Sequence, residues 1–191
     1  MWNLPNILTL LRILCIPLLV MVYFLPWDWR HPASAAIFGL AAITDWFDGY
    51  LARRLNQMTP FGAFLDPVAD KLIVAVALVV LLHSHPTLLF AIPTMVIICR
   101  EIVISALREW MAEIGRRTSV AVSFVGKVKT TLQMIAILVL LMIDPVKYPV
   151  WDYMGIALLY VAAGLTLWSM CLYLAAAWPD LKVTNGREKA Q

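Results

Sequence analysis

Four aspartates, Asp45, Asp48, Asp66 and Asp70, are the residues of this chain best suited to chemistry, because they sit in two closely spaced pairs within an otherwise apolar sequence. On an α-helix, positions three or four apart share a face, so Asp45 and Asp48 form one pair and Asp66 and Asp70 another. The polar run Asn56 to Pro60 lies between them and folds one pair toward the other. A charged side chain at bilayer depth costs about 2.5–3.5 kcal/mol or more, and like charges gathered in one place repel further. Four converging carboxylates therefore require a cation, and two divalent ions would cancel their charge. An all-oxygen donor set points to Mg²⁺ or Mn²⁺ rather than Zn²⁺. One aspartate at a helix end is ordinarily a solvated cap. Four at these spacings are not explained that way, since acids at membrane depth are functional by default.

The residues beside the acids narrow the chemistry. Gly49 and Ala52 fall on or next to the Asp45/Asp48 face, where small side chains let a planar or bulky group approach the backbone. The same pair also suits a helix-packing notch. Arg53 follows at once, and a guanidinium beside a metal site matches a phosphate bridging to that metal. Further along, Arg100 and Glu101 interrupt an apolar run, Arg108 follows Arg100, and Lys127 and Lys129 open the next run. Eight residues of helix separate Arg100 and Arg108 by about 12 Å and only about 40° of rotation. Pairing of Arg100 with Glu101 or with an acid of the cluster would account for it structurally. Yet Arg100, Arg108, Lys127 and Lys129 all lie toward the same face as the acids, so they are candidates for binding a second anionic group, an acceptor alcohol that carries phosphate.

These residues must be held by membrane helices. Of 191 residues, 62% are hydrophobic and 14% charged, too little polar material to coat a water-facing surface. That excludes a soluble domain, and no nucleic-acid partner is expected. Apolar stretches run approximately 8–25, 33–46, 68–82, 88–107, 124–143 and 155–178. The second is short for about 30 Å of hydrocarbon unless its helix continues through Asp45 to Leu55 and emerges at the interface. The reading is an all-α integral membrane protein of six transmembrane helices: one catalytic domain over 1–178, opened by an interfacial segment over 1–11, with a polar cytoplasmic tail over 179–191. In the opening segment Asn3, Asn6 and Thr9 lie opposite Leu4, Ile7, Leu8 and Leu11, which suits a helix entering through the interface. No cleavable leader is evident, and strand alternation is absent.

With both termini inside, the inner connections and tail hold Arg53, Arg54, Arg108, Arg116, Arg117, Lys127, Lys129, Lys182, Arg187 and Lys189, against only Arg30 and Lys147 outside. That asymmetry in short loops sets the orientation as N-in and C-in. Trp27, Trp29 and Trp151 would mark the outer interface and Trp110 and Trp178 the inner one. Cys15, Cys99 and Cys171 are scattered through apolar stretches, without metal-ligand spacing, and read as small core residues.

From Asp45-Trp-Phe-Asp48-Gly49-Tyr-Leu-Ala52-Arg53, through eight residues, to Gly62-Ala-Phe-Leu-Asp66-Pro-Val-Ala-Asp70, the chain resembles the D-x-x-D-G-x-x-A-R…G-x-x-x-D-x-x-x-D signature of the CDP-alcohol phosphotransferases, with every signature position present. The resemblance implies a six-helix homodimer in which the four aspartates bind a pair of divalent metals at the cytoplasmic interface. It implies a CDP-diacylglycerol site including Asp48, Gly49, Ala52, Arg53 and Gly62, the small residues making room for the cytidine nucleotide and Arg53 holding its phosphates. Asp70 is the implied general base. Asn3-Leu-Pro5-Asn6-Ile-Leu-Thr9-Leu-Leu-Arg12, Arg100-Glu101-Ile with Leu107-Arg108-Glu109, and Gly126-Lys127-Val-Lys129-Thr130 with Gln133 resemble the bacterial branch of that family that makes phosphatidylglycerophosphate. That likeness implies transfer of the phosphatidyl group from CDP-diacylglycerol to sn-glycerol 3-phosphate with release of CMP, in the bacterial inner membrane, as the committed step toward phosphatidylglycerol and cardiolipin.

The rival acceptors within the family are phosphatidylglycerol, serine and inositol phosphate. A phospholipase-D-like route needs a histidine nucleophile, whereas His31, His83 and His85 fall in connections assigned to the opposite face. A cation transporter also places acids at membrane depth, but gains nothing from Gly49, Ala52 and Arg53 at these offsets or from a cationic rim.

Overall fold

The computed structural model describes the backbone of residues 4–55, 60–113 and 124–188, and side chains over 6–45, 62, 64–112 and 128–175. Among the described residues six helices follow one another: α1 (Leu4–Phe24), α2 (Arg30–Leu55), α3 (Pro60–Ser84), α4 (Leu88–Glu113), α5 (Phe124–Met142) and α6 (Pro149–Glu188). No strand occurs among the described residues. The breaks coincide with turn chemistry. Asp144 Oδ1 accepts from the Val146 amide at 3.0 Å in the connection before α6, an aspartate bonding two residues ahead as in many turns. Pro149 then opens α6, where a missing N–H costs nothing.

Large apolar side chains fill the interior, among them Leu19, Phe38, Leu78, Leu81, Phe90, Ile137, Leu140 and Leu159. α1 packs mainly on α2 and α3, and α5 mainly on α6. Small residues let these helices approach. A Cβ on Gly155 would lie 2.7 Å from Leu140 Cγ, closer than atoms can sit, so only glycine fits where α6 passes α5. The outside of the bundle is also apolar, with Leu14, Met21, Leu40 and Ile102 all more than 60% exposed, a surface that suits hydrocarbon and not water. Asn6–Phe24, Leu88–Ala112 and Pro149–Ala175 are each long and apolar enough to cross a membrane, and Val128–Met142 is a shorter apolar stretch. α2, which carries Asp45 and Asp48, is the least hydrophobic of the described helices.

α2 continues through Asp45 to Leu55 as expected, lengthening a stretch whose apolar part alone was too short. The opening segment differs from expectation. It is the first turns of α1 with no break between, and its polar face turns inward: Asn6 and Thr9 are buried, while Ile7, Leu10 and Leu11 are exposed. Hydrogen bonding explains the inversion, since Thr9 donates to the Asp66 carboxylate on α3, and polar atoms at this depth need partners. At the other end of the chain, α6 runs on past Trp178, so residues 179–188 are helical.

Contacts distinguish the two ends of the bundle. At one end, α1, α2 and α3 meet through Arg12, Asp45 and Asp70. At the other, Tyr23 Oη lies 2.7 Å from Ser84 Oγ, and His85 Nε2 lies 2.7 Å from Asp152 Oδ1. His31 packs edge-on against Tyr23 there, and His83 against Phe24. All three histidines therefore lie away from the acids.

Candidate active site

α1 supplies a polar stripe with a three-residue spacing, Asn6, Thr9 and Arg12, directed into the bundle. Arg12 is 1% exposed. Its Nη1 sits 3.1 Å from Asp45 Oδ1 of α2 and also donates to Asp70 Oδ1 of α3. Thr9 holds Asp66, one turn before Asp70. The expected pairing of Asp66 with Asp70 on one helix face is thus present, and α1 binds both acids. The carboxylates of Asp45 and Asp70 remain nearly half exposed, facing a cavity of about 600 Å³, within the size range of small-molecule sites.

Asp48, Gly49, Ala52 and Arg53 lie on the last turns of α2 by their backbone, and their side chains lie outside the described residues, as does that of Lys127 on α5. Gly62 is buried near the start of α3. The described acids suit divalent hard cations in kind: all donors are oxygens, and two carboxylates from different helices already meet one cationic nitrogen. Among the described residues alone, no three ligating side chains gather closely enough to hold an ion.

Basic side chains occupy the wall facing the acids. Arg100 of α4 is 9% exposed. It pairs with Glu101 and comes within 3.5 Å of Ser169 Oγ on α6. The pairing with Glu101 weighed from sequence is therefore real, and Arg100 lines the cavity as well. Its Nε is buried and meets no acceptor among the described residues. An orphaned cationic donor is costly, and an anion supplies what it lacks. Arg108 lies with its guanidinium carbon 5.6 Å from the centre of the Tyr173 ring, a cation–π contact that fixes its head group. Lys129 of α5 is buried on the same cavity. Three of the four expected phosphate ligands, Arg100, Arg108 and Lys129, thus line one chamber together with Asp45 and Asp70.

From sequence, Arg12 enters only by resemblance and Thr9 also as part of the polar stripe of the opening segment, neither with a role in the site. A lone arginine in an apolar helix is itself a signal. Ser169 and Tyr173 gave no such signal, because α6 is uniformly apolar around them.

A pair of carboxylate-bearing helices facing a basic wall at the end of a membrane bundle defines a site for charged, phosphate-bearing substrates. Residues 2–174 match the CDP-alcohol phosphatidyltransferase family, and the chain belongs to it. Within it, the chain is 55% identical to the CDP-diacylglycerol–glycerol-3-phosphate 3-phosphatidyltransferase of Pseudomonas fluorescens over 188 residues, covering 98% of this chain and 95% of the relative. It is 57% identical to the Salmonella choleraesuis (strain SC-B67) protein of the same name over 181 residues, 94% of this chain and 97% of that one. The Shigella flexneri protein of that name is 56% identical over the same shares.

Proposed function

We propose that this protein transfers the phosphatidyl group of CDP-diacylglycerol to sn-glycerol 3-phosphate, giving phosphatidylglycerophosphate and CMP. Supporting this reading are its near full-length similarity to transferases of that name and one observation that carries the acceptor assignment: Arg100, Arg108 and Lys129 share a chamber with Asp45 and Asp70. A phosphorylated alcohol needs both walls, one to hold its phosphate and one to activate its hydroxyl.

The donor is amphipathic, so its acyl chains would lie in lipid while its pyrophosphate reaches the acids at the end of the bundle. Asp45, Asp48, Asp66 and Asp70 would hold Mg²⁺ or Mn²⁺, which when bound neutralises pyrophosphate charge and stabilises departing CMP. Arg53 would hold the nucleotide phosphates, with Gly49, Ala52 and Gly62 leaving room for the cytidine. Arg100, Arg108, Lys127 and Lys129 would hold the acceptor phosphate. Asp70 would take the proton of the glycerol 1-hydroxyl. The oxygen then attacks the phosphorus next to diacylglycerol, and the bond from that phosphorus to CMP breaks in line. No covalent enzyme intermediate is needed, and the histidines are at the other end of the helices.

In the same reading all six helices cross the bacterial inner membrane with both termini cytoplasmic, the site opens to the cytoplasm, and the protein is a homodimer. The charge asymmetry of the loops supports the orientation. The test is CMP release by purified protein from CDP-diacylglycerol with each acceptor in turn. Glycerol 3-phosphate is the expected acceptor; release supported by serine, inositol phosphate or phosphatidylglycerol in its place would overturn the assignment.

A further inference from the structure

The basic wall accounts for a phosphate, but the chamber also holds a buried neutral group that phosphate binding does not use. Gln133 of α5 is 6% exposed and lines the cavity. Neither polar atom of its amide is both sealed away and unbonded, so the amide is available to the cavity it lines. An amide presents both a donor and an acceptor, which matches a hydroxyl and adds nothing to anion binding beside three cations. Its position fits that role. Gln133 follows Lys129 by one helical turn on the same face, about 6 Å along the axis. That is close to the reach from a phosphate to the neighbouring secondary hydroxyl of a three-carbon acceptor.

Resting on the acceptor assignment above, we propose that Gln133 binds the 2-hydroxyl of glycerol 3-phosphate and so sets selectivity for a vicinal diol phosphate over alcohol phosphates that lack this hydroxyl. A site built to bond a hydroxyl rejects the analogue without it, because the buried amide is then left unpartnered.

The test compares glycerol 3-phosphate with 3-hydroxypropyl phosphate, which keeps the phosphate and the reacting hydroxyl and lacks only the middle one. Wild-type protein is expected to favour glycerol 3-phosphate by about 10- to 100-fold in kcat/KM, the effect of one unmet hydrogen bond. In Gln133→Met, of similar volume, that ratio is expected to fall to within about threefold of unity. The loss should fall on glycerol 3-phosphate far more than on the analogue, with the KM for CDP-diacylglycerol unmoved. Equal use of the two acceptors by wild type overturns the inference with no variant required. A Gln133→Met protein that keeps the wild-type ratio, or loses activity equally with both, overturns it too. Wild-type protein inactive with glycerol 3-phosphate but active with another alcohol refutes the acceptor assignment, and the inference with it; that failure is recognised from wild type alone.

Discussion

Replacing Arg12 by methionine removes the cation that joins α1 to both acid-bearing helices. The guanidinium is 1% exposed, and it contacts Asp45 and Asp70, whose side chains are 48% and 43% exposed. Removing one partner of a fully buried ion pair costs about 3–5 kcal/mol. Exposed pairs are worth about 0–1 kcal/mol. The half-exposed carboxylates here can recover much of their hydration, so the expected loss is about 1–3 kcal/mol, several degrees in melting midpoint. Arg12→Lys should recover part of this, since the ammonium keeps the charge but sits on a shorter side chain and is more strongly hydrated than a guanidinium. The assay is thermal unfolding of detergent-purified protein with EDTA, followed by circular dichroism. Added Mg²⁺ should raise the variant's midpoint more than that of wild type, because carboxylates deprived of Arg12 gain more from another cation. A variant that melts with wild type in EDTA would refute the idea that Arg12 holds the two acids together.

Asp70→Asn should leave a folded protein, judged by gel filtration and circular dichroism, with CMP release nearly abolished; wild-type turnover would remove Asp70 from the role of base. Chelation with EDTA should stop the reaction and Mg²⁺ or Mn²⁺ restore it, whereas undiminished turnover in EDTA would count against metal-assisted transfer. Arg100→Ala and Lys129→Ala should raise the KM for glycerol 3-phosphate far more than that for CDP-diacylglycerol, and equal effects on both would remove them from the phosphate pocket. Gly155→Leu should destabilise the fold by about 1–3 kcal/mol through overpacking, because the new side chain meets Leu140; an unchanged unfolding midpoint would show that α5 and α6 can separate there at no cost.

The acids were legible in the sequence because their spacing is local: Asp66 and Asp70 need only one helix to share a face, and α2 had to extend through Asp45 because its apolar part was too short to span. Arg100 beside Glu101 is local in the same sense. The role of Arg12 was not, for it depends on how α1 packs against α3, fifty-eight residues away from Arg12 at Asp70. The inward turn of Asn6 and Thr9 was hidden for the same reason. A polar stripe on a helix looks identical from sequence whether it faces headgroups or buried acids. Gln133 entered through resemblance alone, and its place on the cavity wall emerged only once α5 was set against the other helices. Ser169 and Tyr173 sit in an apolar helix where neither hydropathy nor charge singles them out.

The central claim is direct transfer to a phosphorylated glycerol at the acid cluster. Its most direct test supplies purified protein with CDP-diacylglycerol and glycerol 3-phosphate labelled on the glycerol carbon, then measures label in the lipid extract against CMP released. One labelled phosphatidylglycerophosphate is expected for each CMP, with both lost in Asp70→Asn. CMP released without label entering lipid, or undiminished transfer by Asp70→Asn, would contradict it.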